Sequence, residues 1–140
     1  MTNPATPLAR FFETYQQANN GDGALAAALF ADTFLAAGPD GATAVPAAAF
    51  APALQKRKKL FSRLGSQGAE LVFLEETPLD GRYALARTRW RMTFRREGRP
   101  DEVLLVDSTF LVDLVAERIL VYLAHQDIFA ILRQRGLLAD

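Results

Sequence analysis

Few side chains in this sequence are suited to acid–base chemistry. His125 is the only histidine, and its imidazole would titrate near neutral pH, which makes it a candidate general acid or base. Asp32 and Asp40 flank a short predicted strand that ends near Ala37, and Asp127 precedes a predicted helix. Aspartates in a Pro-Asp-Gly turn or at a helix N-cap normally bond the backbone. His125 therefore remains the one catalytic candidate, with a structural hydrogen bond at a strand end as the alternative.

The composition limits the other chemistry. Because the chain has no cysteine, disulfides, thiolate nucleophiles and iron–sulfur clusters are excluded. A single histidine leaves a zinc site short of ligands unless carboxylates supply the rest, so we expect no metal and no cofactor. Lysine plus arginine number 16 and aspartate plus glutamate number 16. Affinity for nucleic acid comes mainly from neutralising phosphates, so we expect this neutral chain not to bind it.

The sequence also indicates a location and a domain count. Residues 1–15 lack the basic start and apolar core of a secretory signal, and no apolar run reaches the roughly 18 residues that suggest a membrane span. We therefore expect a cytoplasmic protein that does not contact membranes. No linker, repeat or low-complexity segment interrupts the 140 residues, which predicts one domain over residues 1–140.

The stretch Arg87 to Arg96, RTRWRMTFRR, places five arginines around the only tryptophan. It resembles a nucleic-acid contact, with a base stacked on Trp90. Side chains on a strand alternate between its two faces, however, so Trp90 would lie on the face opposite its flanking arginines. The stretch then separates into a charged face and an apolar one, and the apolar face carries Ala84, Ala86, Thr88, Trp90, Met92 and Phe94.

The next predicted strand, Val103 to Val115, runs back along the arginine strand. With the loop centred on Gly98 to Arg99, this register sets Arg91 opposite Asp107. It predicts a charge network on the outer sheet face, formed by Arg87, Arg89, Arg91, Asp107 and Asp113. The same face is a candidate surface for a homodimer.

The rest of the chain alternates between helical and strand spacing. Helices are predicted from Pro7, with Thr6 as N-cap, after Asp22, from Pro46 to about Leu64, and after Asp127. Leu25, Leu29 and Phe30 are expected to pack on the core. Strands are predicted at Asp32 to Ala37, Leu71 to Glu75, Tyr83 to Arg95, Val103 to Val115 and Ile119 to His125. Helices followed by an antiparallel meander indicate an α+β fold.

Three stretches resemble the nuclear-transport-factor-2-like superfamily, and within it the small-molecule branch often called SnoaL-like. They are ALFADTFLAAGPDG (Ala28 to Gly41), the RTRWRMTF strand with its returning partner, and ERILVYLAHQD (Glu117 to Asp127). The resemblance covers nearly the whole chain. It implies a cystatin-like cone, in which N-terminal helices pack on a strongly curved, mainly antiparallel sheet and enclose a pocket. It also implies dimers formed through the outer sheet face.

The strand faces predict which residues would line such a pocket. They are Tyr15, Phe30, Phe34, Leu54, Trp90, Met92, Ser108 and Phe110, with either Tyr122 or His125 from the last strand. This face carries no carboxylate, which leaves an enzymatic activity open. One hypothesis is a domain that binds a small apolar organic molecule. The alternatives are a lyase or isomerase that uses His125, with Tyr15 or Tyr122 as hydrogen-bond donor, and a non-catalytic dimeric interaction module.

Overall fold

A six-stranded open sheet, with helices packed on its inner face, forms the structure. The computed structural model describes residues 6–139. The helices are α1 (Pro7–Asn20), α2 (Gly23–Ala27), α3 (Ala47–Arg63) and α4 (Ile128–Gln134), and the strands are β1 (Phe30–Gly38), β2 (Gly41–Pro46), β3 (Ser66–Leu79), β4 (Tyr83–Phe94), β5 (Glu102–Asp113) and β6 (Arg118–Ala124). The sheet order is β2-β1-β6-β5-β4-β3. Only the β1–β6 pair among these strands is parallel. The predicted α+β fold is confirmed.

Helix α1 covers the sheet, and its sequence explains why. The Thr6 side chain accepts a hydrogen bond from the Ala9 amide at 3.1 Å, and Pro7 occupies the first turn, as predicted. The helix buries the apolar stripe formed by Leu8, Phe11, Phe12 and Tyr15. This stripe packs against the inner sheet face in the main core. None of the helices within residues 6–139 is long and apolar enough to cross a membrane.

The segment between α1 and α3 differs from the prediction. Helix α2 ends at Ala27, so Phe30 begins a strand instead of closing a helix. Leu25 was expected to pack on the core, but it is 61% exposed. Strand β2 was not predicted, because GATAVP has neither a clear alternation nor a run of β-branched residues. The segment is a strand because it pairs with β1 across the Gly38–Gly41 turn, and this pairing is not specified by the local sequence.

Strands β4 and β5 pair as an antiparallel ladder whose faces agree with the prediction. Burial alternates strictly along most of β4, with Trp90 inward and the flanking arginines outward. The predicted register is wrong by two residues: Arg89, not Arg91, lies opposite Asp107. The loop is centred on Gly98, whose φ of 74° favours glycine. Because the error is an even number of residues, it leaves every side chain on its predicted face.

The charge network on the outer face is correspondingly different. Arg89 pairs with Asp107 at 2.8 Å, but Arg87 pairs with Glu75 at 3.0 Å. Arg91 pairs with Glu70, also from β3. Asp113 does not join this network. It accepts hydrogen bonds from Nε and Nη2 of Arg82, which hold the pKa of its carboxyl below the ordinary value.

Candidate functional site: a cavity with an aromatic wall

A cavity of about 900 Å³ lies between the helices and the inner face of the sheet. One side of it, here called the aromatic wall, is formed by Tyr15, Trp90, Phe110 and Tyr122. Tyr15 comes from the buried stripe of α1, and the other three come from the inward faces of β4, β5 and β6. The wall therefore depends on the strand alternation described above.

The rings of the aromatic wall hold one another in place. Tyr15 packs edge-to-face on Trp90 and on Phe110, with ring centres 5.8 and 5.7 Å apart. Phe110 stacks on Tyr122, with ring centres 5.1 Å apart and ring planes 15° from parallel. Both arrangements are favourable for aromatic quadrupoles. The four rings are consequently held in place by one another before anything binds to the wall.

A hydrogen-bonded group behind the wall fixes the indole of Trp90. The indole Nε1–H donates to the Thr88 hydroxyl at 2.9 Å. That hydroxyl also lies 2.9 Å from both the carbonyl oxygen and the hydroxyl of Ser108. Trp90, Thr88 and Ser108 are all buried, and Ser108 also lines the cavity. The Ser108 hydroxyl is thus a positioned polar group beside the ring surfaces.

The pairing of β6 with β5 shows which residues of β6 face inward. The ladder with β5 shifts between Leu111 and Val112, because Leu111 pairs with Val121 while Val112 pairs with Ile119. This β-bulge lets both Ile119 and Tyr122 face inward, although simple alternation assigns them to opposite faces. Tyr122 therefore lines the cavity.

His125 lies outside the cavity. Its side chain is exposed, and its Nε2 atom shares a 2.7 Å hydrogen bond with the hydroxyl of Thr109. Thr109 pairs with Arg87 on the outward face of the sheet. The geometry therefore matches the structural alternative for His125, and it gives no support to an acid–base role for this residue inside the cavity.

The structure brings most of the predicted pocket residues together. The cavity is lined by seven of them, namely Tyr15, Leu54, Trp90, Met92, Ser108, Phe110 and Tyr122. Phe30 and Phe34 instead lie behind the lining and pack on Phe50, with ring centres 4.9 Å apart in each case. Phe50 is one of the lining residues that the predicted set lacked. Its position one helical turn before Leu54 was the available indication.

Two lining cations were also missed. Arg57 and Lys58 belong to the run Lys56 to Lys59, and a run of four cations is typical of a solvated helix face. Both are half-buried and line the cavity. Four consecutive residues cover a whole helical turn, so some of them must face inward if the helix packs on the sheet.

The phenols of Tyr15 and Tyr122 are the polar groups of the wall without a protein partner. Neither hydroxyl hydrogen-bonds another residue in the described part of the chain. Burial raises the pKa of the Tyr15 phenol well above its ordinary value, the nearby Tyr122 adds to the rise, and Arg57 opposes it. Tyr15 thus stays protonated at neutral pH and is a hydrogen-bond donor rather than a base.

Within residues 6–139, no group of three or more histidine, aspartate or glutamate side chains is placed to hold a metal ion. Asp127 lines the cavity, but its carboxylate accepts hydrogen bonds from the amides of Phe129 and Ala130 as the N-cap of α4. The chemistry of the wall is that of aromatic surfaces and hydroxyl groups.

Comparisons with solved structures show the fold. A nuclear-transport-factor-2-like protein with a cystatin-like fold from Novosphingobium aromaticivorans is 15% identical, with a TM-score of 0.70 over 96% of this chain and 88% of that one. A candidate polyketide cyclase from Xanthomonas campestris is 20% identical, with a TM-score of 0.59 over 91% of this chain and 96% of that one. A candidate scytalone dehydratase from Novosphingobium aromaticivorans is 15% identical, with a TM-score of 0.67 over 84% and 80%. No protein-family model matches the sequence, and a comparison with curated protein sequences finds no match.

Proposed function

We propose that this protein binds a small, flat organic molecule against the aromatic wall. The observation that carries the proposal is the pair of phenol hydroxyls, Tyr15 and Tyr122, which face a cavity without a hydrogen-bond partner among the described residues. A volume of about 900 Å³ is within the range of sites for small organic ligands. A ligand oxygen could accept hydrogen bonds from these two phenols, which bond no other described residue.

The names of two structures with the same fold support a small organic ligand. The candidate polyketide cyclase and the candidate scytalone dehydratase are both named for enzymes that act on small organic molecules. Aromatic side chains along the lining, among them the partly exposed Tyr122, favour a flat ligand, because stacking and edge contacts suit planar molecules.

A second candidate function is a lyase or isomerase reaction at the same wall. The position of the Tyr15 phenol in the lining favours it, since a protonated phenol can donate to an oxygen that gains negative charge. Proton transfer also needs a base within reach of the substrate. The aromatic wall supplies no carboxylate and no imidazole, and His125 is on the other face of the sheet. Binding is therefore the function that the geometry supports better.

The proposal is tested by titrating 2-naphthol into the protein and following the fluorescence of Trp90. As the only tryptophan, Trp90 makes intrinsic fluorescence a direct probe of the cavity. We expect 2-naphthol to quench this fluorescence with saturation. Tyr122→Phe should weaken 2-naphthol binding about 3-fold to 10-fold, the loss expected for one hydrogen bond.

Tyr83→Phe is the matched control, because Tyr83 begins β4 and is not part of the cavity lining. It should leave the affinity for 2-naphthol unchanged. Equal losses in the two variants would contradict a ligand site at the wall, as would the absence of saturable quenching in the unaltered protein.

The outer sheet face is proposed as a homodimer surface. Its arginines are neutralised by carboxylates of the same chain, and between them lie exposed apolar side chains contributed by five strands, Leu35, Phe73, Leu85, Leu105 and Leu123. A neutral apolar face can meet its own copy across a two-fold axis, because the same patch serves both partners. It needs no partner of opposite charge.

We expect the protein to elute with a mass of about twice 15.4 kDa in light scattering coupled to gel filtration. Leu105→Glu replaces an apolar side chain of this face with a charged one and should give a monomer. Leu25→Glu, which changes an exposed leucine on α2, should leave the mass unchanged. A monomeric unaltered protein at micromolar concentration, or a Leu105→Glu variant that still dimerises, would argue against the surface.

A further inference from the structure

We infer that the ligand is an organic anion whose carboxylate, or an equivalent acidic group, binds Arg57 at the edge of the cavity. This rests on the proposed function and names the class of ligand that the same cavity would take. Arg57 lies on α3 between Leu54 and Phe61, at helical spacing from both, and all three residues line the cavity.

Two aromatic rings hold the Arg57 guanidinium in position. Its central carbon lies 5.1 Å from the ring centre of Phe61 and 5.6 Å from that of Phe129. Contacts of this kind are attractive and restrict the guanidinium to one place. Because these contacts are made to rings and not to carbonyl or carboxylate oxygens, the N–H donors of the guanidinium remain available to another partner.

Arg57 combines partial burial with the lack of an ion-pair partner. Ion pairs between described residues engage Arg82, Arg87, Arg89, Arg91, Arg95 and Arg135. Arg63, Arg99 and Arg133 also lack such a pair, but they are exposed and do not line the cavity. Arg57 has no such partner there, and its guanidinium makes no hydrogen bond to another described residue. A half-buried guanidinium with free donors is suited to a two-point hydrogen bond with a carboxylate.

The surroundings leave the charge of Arg57 uncompensated. Lys58 also lines the cavity and adds a second positive charge. The carboxylates of the lining are engaged or exposed: Asp107 pairs with Arg89, Asp127 caps α4, and Asp40 is exposed in the β1–β2 turn. None of these three carboxylates lies within 4.0 Å of Arg57 or Lys58, so both cations remain available to an acidic group of a ligand.

Arg57 and the aromatic wall belong to one site. The charge of Arg57 is close enough to Tyr15 to oppose the rise in the pKa of that phenol. A ligand that spans them would place a flat apolar body on the wall and its acidic group on Arg57. The aromatic residues that would contact the apolar body and Arg57, which would bind the acidic group, line the same cavity.

The experiment compares 2-naphthoate with its uncharged methyl ester, each titrated into the protein with Trp90 fluorescence as the readout. We expect the unaltered protein to bind 2-naphthoate at least about 10-fold more tightly than the ester. Arg57→Gln should weaken 2-naphthoate binding by about 10-fold to 100-fold, the range for hydrogen bonds to a charged group. Its affinity for the ester should change less than about 3-fold, and this retained binding shows that the variant is folded.

Lys59→Gln is the matched control, since it removes an exposed cation of the same helix that does not line the cavity. It should leave both affinities unchanged. Equal binding of 2-naphthoate and ester by the unaltered protein, or equal losses in the Arg57 and Lys59 variants, would overturn the inference and leave the proposed function standing. Failure of both compounds to bind the unaltered protein would count against both.

Discussion

Gly65→Ala is expected to destabilise the protein by about 3 kcal/mol or more, the largest loss expected from adding one methyl group to this chain. Gly65 has a φ of 96°, in the region that favours glycine. A Cβ atom there would lie 2.1 Å from the carbonyl oxygen of Arg95 and 2.9 Å from its carbonyl carbon. Backbone cannot yield as a flexible side chain does, so the turn itself would have to move.

The turn at Gly65 matters because it connects α3 to β3 and also hydrogen-bonds Arg95, the residue that follows β4. The Gly65 carbonyl accepts a 2.8 Å hydrogen bond from the Arg95 amide, and the Gly65 amide donates to Ser62 at 3.0 Å. Moving the turn would break the first of these and displace α3, which carries Leu54 and Arg57 of the cavity lining. Loss of ligand binding should therefore accompany the loss of stability.

Gly98→Ala provides the matched comparison for Gly65→Ala. Gly98 has a similar positive φ of 74°, but a Cβ there would meet nothing within 4 Å. Only the conformational strain remains, which amounts to about 1–2 kcal/mol. The free energies of unfolding are measured by urea titration with Trp90 fluorescence. Equal losses in the two variants would show that the close approach to Arg95 is not as described.

Phe110→Ala is expected to lower the free energy of unfolding by about 3–5 kcal/mol, as for other buried phenylalanines. Phe110 is 1% exposed and lies at the centre of the aromatic packing. Its ring contacts those of Phe12, Tyr15 and Tyr122, with centres 5.1 to 5.7 Å apart. Removing it would take one packing contact from each of these three rings and join a new void to the existing cavity.

Val103→Ala serves as the control for Phe110→Ala, because Val103 is on the same strand with its side chain 46% exposed. It should change the free energy of unfolding by less than about 1 kcal/mol. Phe110→Ala should also abolish the quenching by 2-naphthol, because it removes the ring on which Tyr122 stacks. A Phe110→Ala variant as stable as Val103→Ala would contradict the packing of the wall.

The sequence predicted the aromatic wall because strand alternation is a local rule. Trp90 and Phe110 are each on a strand with a charged outer face, so their inward direction follows from parity alone. Tyr122 did not follow from parity, since a β-bulge in β6 shifts the alternation after Ile119, and bulges leave little trace in a single sequence. The register of β4 and β5 was also missed by two residues, because the position of Gly98 in its turn was not assigned correctly.

Arg57 shows a different limit. Within a run of four cations, sequence spacing cannot say which residue faces the sheet until the packing of α3 is known. Phe129, one of the two rings that hold Arg57, comes from α4 at the far end of the chain. A contact between residues so distant in sequence is determined by the tertiary fold. Strand β2 was missed for the same reason.

The central claim, that the cavity is a site for a small flat molecule, is tested most directly by a crystal structure of the protein soaked with 2-naphthol. We expect the ring system to lie against the wall of Tyr15, Trp90, Phe110 and Tyr122, with its oxygen within about 3 Å of a phenol hydroxyl. A cavity closed by side chains, or 2-naphthol bound only on the outer sheet face, would contradict the claim.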